Sequence, residues 1–167
     1  MPSYPKLLPL LPVIVPIATA WVQGGEREAL RDGQALDAGQ LADARAVGIA
    51  APERVRLLKV AAVPTFRHPV LCPLAWLTRR VFPDTAGITF RYGILIRNDC
   101  WGDRRLLVHE LAHVAQYERL GGIAPFLRDY LRECFAQGYP YGPLEQEAIV
   151  VAARHEYRPR GEASDFP

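Results

Sequence analysis

The stretch DRRLLVHELAHVAQYERLGG, residues 103–122, decides how the rest of the chain is read. Asp103 suits a helix N-cap and Gly121-Gly122 halts the run, so the spacing predicts a helix from Arg104 to Leu120. Inside it, His109-Glu110-Leu111-Ala112-His113 sets two imidazoles four residues apart. Side chains at i and i+4 lie nearly over one another, so both imidazoles share one side of the helix and can bind one metal ion. Glu110 lies about 100° round the helix from His109. There it can reach a metal-held water without itself ligating. Leu106, Leu107, Val108, Val114 and Ala115 would bury the helix and keep the inner side of the site dry.

Two imidazoles make an incomplete site, because a catalytic zinc usually takes three protein ligands and keeps one position open. Gln116 and Arg119 stand where an astacin-like three-His pattern needs Gly and His, which excludes that arrangement. The best source of a third ligand is Pro143-Leu144-Glu145-Gln146-Glu147-Ala148. With this run the sequence resembles the gluzincin zinc metallopeptidases, in which a second helix supplies a Glu in a Glu-x-x-Ala setting. The resemblance spans residues 88 to about 155. It implies one Zn2+ per chain held by His109, His113 and Glu145, with Glu110 as the catalytic carboxylate. Glu147 competes for the third place, and the offset of Ala148 favours Glu145. Ile149 departs from the pattern, since many members carry Asp or Asn there, in contact with a ligating His. A partner for each ligating imidazole must then come from elsewhere.

The implied function is zinc-dependent hydrolysis of peptide bonds in a peptide or protein substrate, with the water activated by Glu110. The alternative is a non-proteolytic zinc hydrolase or a catalytically weakened zinc-binding module, which Ile149 and the small size favour. Tyr139, Tyr141, His155 and Tyr157 are candidates for the donor that steadies a tetrahedral oxyanion. Tyr117, one turn beyond His113, reads as core or groove lining. The resemblance also implies that the strand ahead of the helix lies at the sheet edge and pairs with extended substrate; placement alone leaves an interior strand open.

Upstream, residues 88–97 alternate Ile88, Phe90, Tyr92, Ile94 and Ile96 with their neighbours, a period of two that predicts one strand. Gly93 in its middle suggests a bulge or a close backbone approach. A second strand is expected over Val55–Val63, stopped by Pro64. Residues 64–84 carry four Pro and read as loop with a short helix over Leu74–Val81; His68 reads as a surface residue. Downstream, Pro125 and Pro143 each suit the first turn of a helix. The first of these presents Leu127, Tyr130, Leu131 and Cys134 and ends at Gly138; the second runs to about His155.

Two N-terminal helices are expected, over about Val13–Arg31 and Asp37–Val47. The run Leu7–Ile17 is apolar and Ala18-Thr19-Ala20 resembles a signal-peptidase site, while Pro9, Pro12 and Pro16 interrupt it. Three readings follow: a helix docked on the domain, a membrane-associating anchor through residues 7–22, or a cleaved signal. Localisation is accordingly cytoplasmic or membrane-associated, with secretion as the third case. The three Cys are widely spaced and odd in number, so free thiols are expected.

The chain has 167 residues, half of them apolar and 23% charged, which suits one packed globule. A net charge of +2 provides no basic field for nucleic acid. The fold class expected is α+β and zincin-like: a small mixed sheet packed on the His-Glu-x-x-His helix. Residues 1–50 would form an N-terminal helical segment, 51–160 the metallopeptidase-like domain and 161–167 a polar tail.

Overall fold

The computed structural model of the chain describes residues 3–64 and 85–156. The expected helix at Leu74–Val81, His68, Cys72, Tyr157 and the 161–167 tail lie outside the described residues. The fold is mixed α+β. A short 3-10 turn over Pro5–Leu10 leads into α1 (Leu11–Asp32), followed by β1 (Gln34–Ala35), α2 (Ala38–Val47), β2 (Arg56–Val60), β3 (Gly87–Phe90) and β4 (Gly93–Arg97). Three helices complete the chain: α3 (Arg104–Arg119), α4 (Ile123–Gln137) and α5 (Pro143–Glu156).

Capping chemistry accounts for several boundaries. Asp37 accepts from the Gln40 backbone N–H while the Gln40 side chain returns the bond, a capping box that starts α2. Gly48 closes α2 in the left-handed region. Asp103 accepts from the Leu106 N–H and starts α3 as expected. Pro143 opens α5. Helix α4 begins two residues before Pro125, which still falls in the first turn, where its missing N–H leaves no intrahelical bond unmade. Helix α1 runs through Pro16.

The sheet is mixed, in the order β1-β2-β4-β3, with β2 and β4 parallel and the other two pairs antiparallel. Here the expected single strand over 88–97 is corrected. It folds as a hairpin, Phe90 opposite Gly93, with Arg91 at φ 58° in the turn. No Gly, Asn or Asp marks that turn, so the alternation ran across it unbroken. Of the two hairpin strands, β3 therefore lies at an edge of the sheet among the described residues, and β4, nearer in sequence to α3, is interior. The strand expected over Val55–Val63 is shorter at both ends, and the two-residue β1 is too short to carry a period.

The sheet is covered on both faces. Leu57, Ile94 and Ile96 meet Ala44, Leu107, Leu111 and Val114 from α2 and α3. Leu58, Ile88, Phe90 and Leu95 meet Val22 and Ala29 from α1, with Phe126 and Leu127 of α4 in the same cluster. Gly93 permits close approach and forms no bulge: a Cβ there would stand 2.6 Å from that of Ala29. The N-terminal stretch is docked along α4, where the Tyr4 N–H donates to the Phe135 carbonyl at 2.7 Å. Burial of Ile14 and Val22 stabilises that docking by roughly 1.5–3 kcal/mol for each side chain. The outer side keeps Leu10 and Val13 exposed. By length and hydropathy, Pro5–Asp32 also meets the requirements of a membrane span or signal. Cys134 is a buried free thiol and Cys100 a half-buried one.

Candidate metal centre

His109 and His113 project from α3 toward the first turn of α5, which brings in Glu145. One donor atom from each lies within 4.8 Å of the others. His109 Nε2 stands 3.2 Å from Glu145 Oε1, and His113 Nε2 stands 3.5 Å from Glu145 Oε2. Two ligand atoms at about 2.0–2.1 Å from a tetrahedral ion stand roughly 3.3–3.4 Å apart. Both separations are close to that value, though each runs to a different oxygen of Glu145, so the group could hold one ion, and two imidazole nitrogens with a carboxylate suit a divalent transition metal. Glu145 is almost fully buried. Burial works against its carboxylate, yet the hydrogen bonds and charge of His109 and His113 outweigh that and hold its carboxyl well below the ordinary range.

Glu145 and Glu147 separate cleanly. Glu147 faces Arg119, which donates to it at 2.6 and 2.7 Å, and Gln116, whose Nε2 donates at 3.1 Å. It does not join the donor cluster. Ala148, fully buried, lies one turn along α5 from Glu145.

The imidazole partner that Ile149 does not supply comes from Gln116, one turn beyond His113. Its Nε2 donates to the Leu144 carbonyl at 2.8 Å as well as to Glu147. With the amide nitrogen engaged by two acceptors, Oε1 must face His113 Nδ1, 2.8 Å away. The Nδ1 therefore carries a proton, and Nε2, which faces Glu145, is the nitrogen that would turn to an ion once its own proton is given up. Gln116 is nearly fully buried, and its hydrogen bonds tie α3 to the start of α5. In the sequence Gln116 is informative only as a departure from the Gly of the three-His pattern. Its partners lie 28 and 31 residues away, where no local pattern reaches.

Glu110 is buried beside the cluster without belonging to it. The α3-facing positions of β3 hold it. Thr89 donates to Glu110 Oε2 at 2.6 Å, and at Gly87 a Cβ would come within 2.8 Å of Oε1. Thus one position orients the carboxylate and the other makes room for it.

Helix α4 supports Glu145 from the far side. Tyr130 donates to Glu145 Oε2 at 2.7 Å, and Glu133 accepts from the Leu144 N–H at 2.8 Å, capping α5. Tyr130 had read only as part of an apolar face. Of the four expected oxyanion donors, Tyr139 lines the cavity at the cluster. Tyr141 is exposed, and His155 lies apart with Arg105 and Val108, facing the Val151 carbonyl. Burial, reinforced by Glu145, pushes the Tyr130 and Tyr139 hydroxyls up, so both are neutral donors at pH 7. Tyr117 is both core and lining: it is buried, borders the cavity, and donates to the Thr89 carbonyl at 3.3 Å.

Comparison with family models, with curated proteins and with solved structures finds no match. The functional reading therefore rests on this geometry.

Proposed function

We propose that the chain is a zinc-dependent peptidase with a zincin-like layout, holding one Zn2+ through His109, His113 and Glu145. The observation that carries this reading is the pair of His-to-Glu145 separations, 3.2 and 3.5 Å, in a buried three-donor cluster with Glu110 beside it. Zinc held by three protein ligands lowers the pKa of a bound water from about 16 toward about 7 and polarises a carbonyl.

The chain's own residues do the rest. Glu110, oriented by Thr89, accepts the proton of the attacking water at its carboxylate and returns it to the leaving amine. Gln116 keeps the His113 Nδ1–H engaged, so that Nε2 serves as a ligand. Tyr130 spends its one hydroxyl proton on Glu145 Oε2 and so braces that ligand, while Tyr139, lining the same cavity, is the hydroxyl to steady charge that develops on a substrate oxygen. Strand β3 is the edge along which an extended peptide would lie. Its Thr89 carbonyl is already taken by Tyr117, so the pairing groups are those toward Gly87, nearest Glu110.

The test compares wild type with Glu110→Gln for zinc content and for cleavage of a peptide library. The expected result is about one zinc per chain in both and cleavage by wild type alone. Cleavage that survives the substitution would remove Glu110 from the chemistry, and a metal-free wild type purified without chelators would remove the reading as a whole.

A further inference from the structure

A cavity of about 490 Å³ lies beside β3. One wall is the donor cluster with Glu110. The opposite wall is apolar and comes from α1 and α4, including Ile14, Ala18 and Trp21 of α1 and Leu131 and Phe135 of α4. Among the described lining residues, the one charged side chain outside the cluster and Glu110 is Arg97, already paired with Asp99 at 2.6 Å. Such walls reward buried hydrocarbon and leave a charged or amide side chain without a partner. The volume falls within the roughly 300–1,000 Å³ of sites that enclose a whole small ligand, more than one side chain requires.

We propose that α1 is a wall of the substrate site, and that this site takes an extended peptide carrying bulky apolar side chains on the residues beside the scissile bond. The position of the scissile bond rests on the peptidase reading above; the apolar preference rests on the cavity alone. Helix α1 thereby gains a role that docking, anchoring or signalling does not include. Ile14 and Ala18 precede the Ala18-Thr19-Ala20 junction or stand on it, so cleavage there would open the cavity.

The test is calorimetric binding to zinc-loaded Glu110→Gln protein, which removes turnover from the readout. Two decapeptides of one backbone length are compared, one with Leu and Phe at its centre and one with Ser and Asp. The apolar peptide is expected to bind at least tenfold more tightly. Ala18→Trp, which projects into the cavity, is expected to cut that binding at least tenfold while zinc content and melting temperature hold. If Ala18→Trp does not fold, Leu131→Ala serves: it enlarges the cavity and should raise the relative affinity for a Trp-centred peptide severalfold. Equal binding of the two decapeptides overturns the proposal. So does indifference of a folded Ala18→Trp or Leu131→Ala variant, or binding of dodecanoate with no binding of either peptide. Absence of zinc from wild type would sink the peptidase reading separately, and the peptides can still be compared on the metal-free protein.

Discussion

The α3–α5 seam and the α1–α4 wall face one another across the same cavity, yet they are built from opposite materials. The seam is polar and buried. His113, Gln116, Glu145 and Glu147 form a connected set with Leu144 and Arg119, each bond defining the next donor's direction. The wall is hydrocarbon, with Ile14 against Phe135, and Trp21 edge-on to Phe90 at 4.9 Å between ring centres. Hydrogen bonds are directional and dispersion is not, so the seam can set ligand geometry to a fraction of an ångström while the wall sets only volume and polarity. Damage to the seam should therefore appear in metal affinity and rate, and damage to the wall in stability and selectivity.

Four substitutions test that division, in falling order of effect. On the seam side, Glu110→Gln should cut kcat/KM by about 10²–10⁴-fold, with zinc content unchanged; steady-state assays and metal analysis read both. Next, Gln116→Ala should weaken zinc binding by about 10–100-fold, measured by chelator competition, because the His113 Nδ1–H loses its acceptor. An unchanged zinc affinity would mean that the hydrogen bonds of Gln116 matter to packing alone.

On the wall side, Gly25→Ala drives a Cβ into the buried Phe90 ring and should cost about 1–3 kcal/mol in denaturant unfolding, with zinc affinity per folded molecule intact. A large loss of metal affinity here would break the division, because the crowded contact is between α1 and Phe90, within the apolar cluster and outside the hydrogen-bonded donors. The smallest effect is expected from Arg119→Ala. Its pair with Glu147 is half exposed, with side chains 55% and 40% accessible, so its loss should cost at most about 1 kcal/mol and shift zinc affinity only slightly. A larger shift would show that Glu147 needs Arg119 in order to brace Gln116.

The same two regions differ in how readable they were from sequence. His109, Glu110 and His113 follow from one helical period, and Glu145 from a short motif on the next helix but one. The structure brings the three donors together and leaves Glu147 outside. Thr89 went unread because its partner lies 21 residues away, and Gln116, although three residues from His113, has its amide oriented only by Leu144 and Glu147, 28 and 31 residues on. Tyr130 was read by its ring, which does pack as expected, while its hydroxyl meets Glu145 only once α4 and α5 have docked. The hairpin at Arg91-Tyr92 was hidden because a non-Gly residue occupies the positive-φ position. For α1, composition could not separate docking from anchoring, since both use the same apolar side chains. The docked contacts with β4 and α4 are tertiary facts, while the helix retains the length and hydropathy of a span.

The most direct measurement is an anomalous diffraction map at the zinc absorption edge, from protein purified without chelators. The account predicts one peak per chain, with His109 Nε2, His113 Nε2 and a Glu145 oxygen at about 2.0–2.2 Å and one position open to solvent. No peak between α3 and α5, or a peak held by Glu147 in place of Glu145, would contradict it.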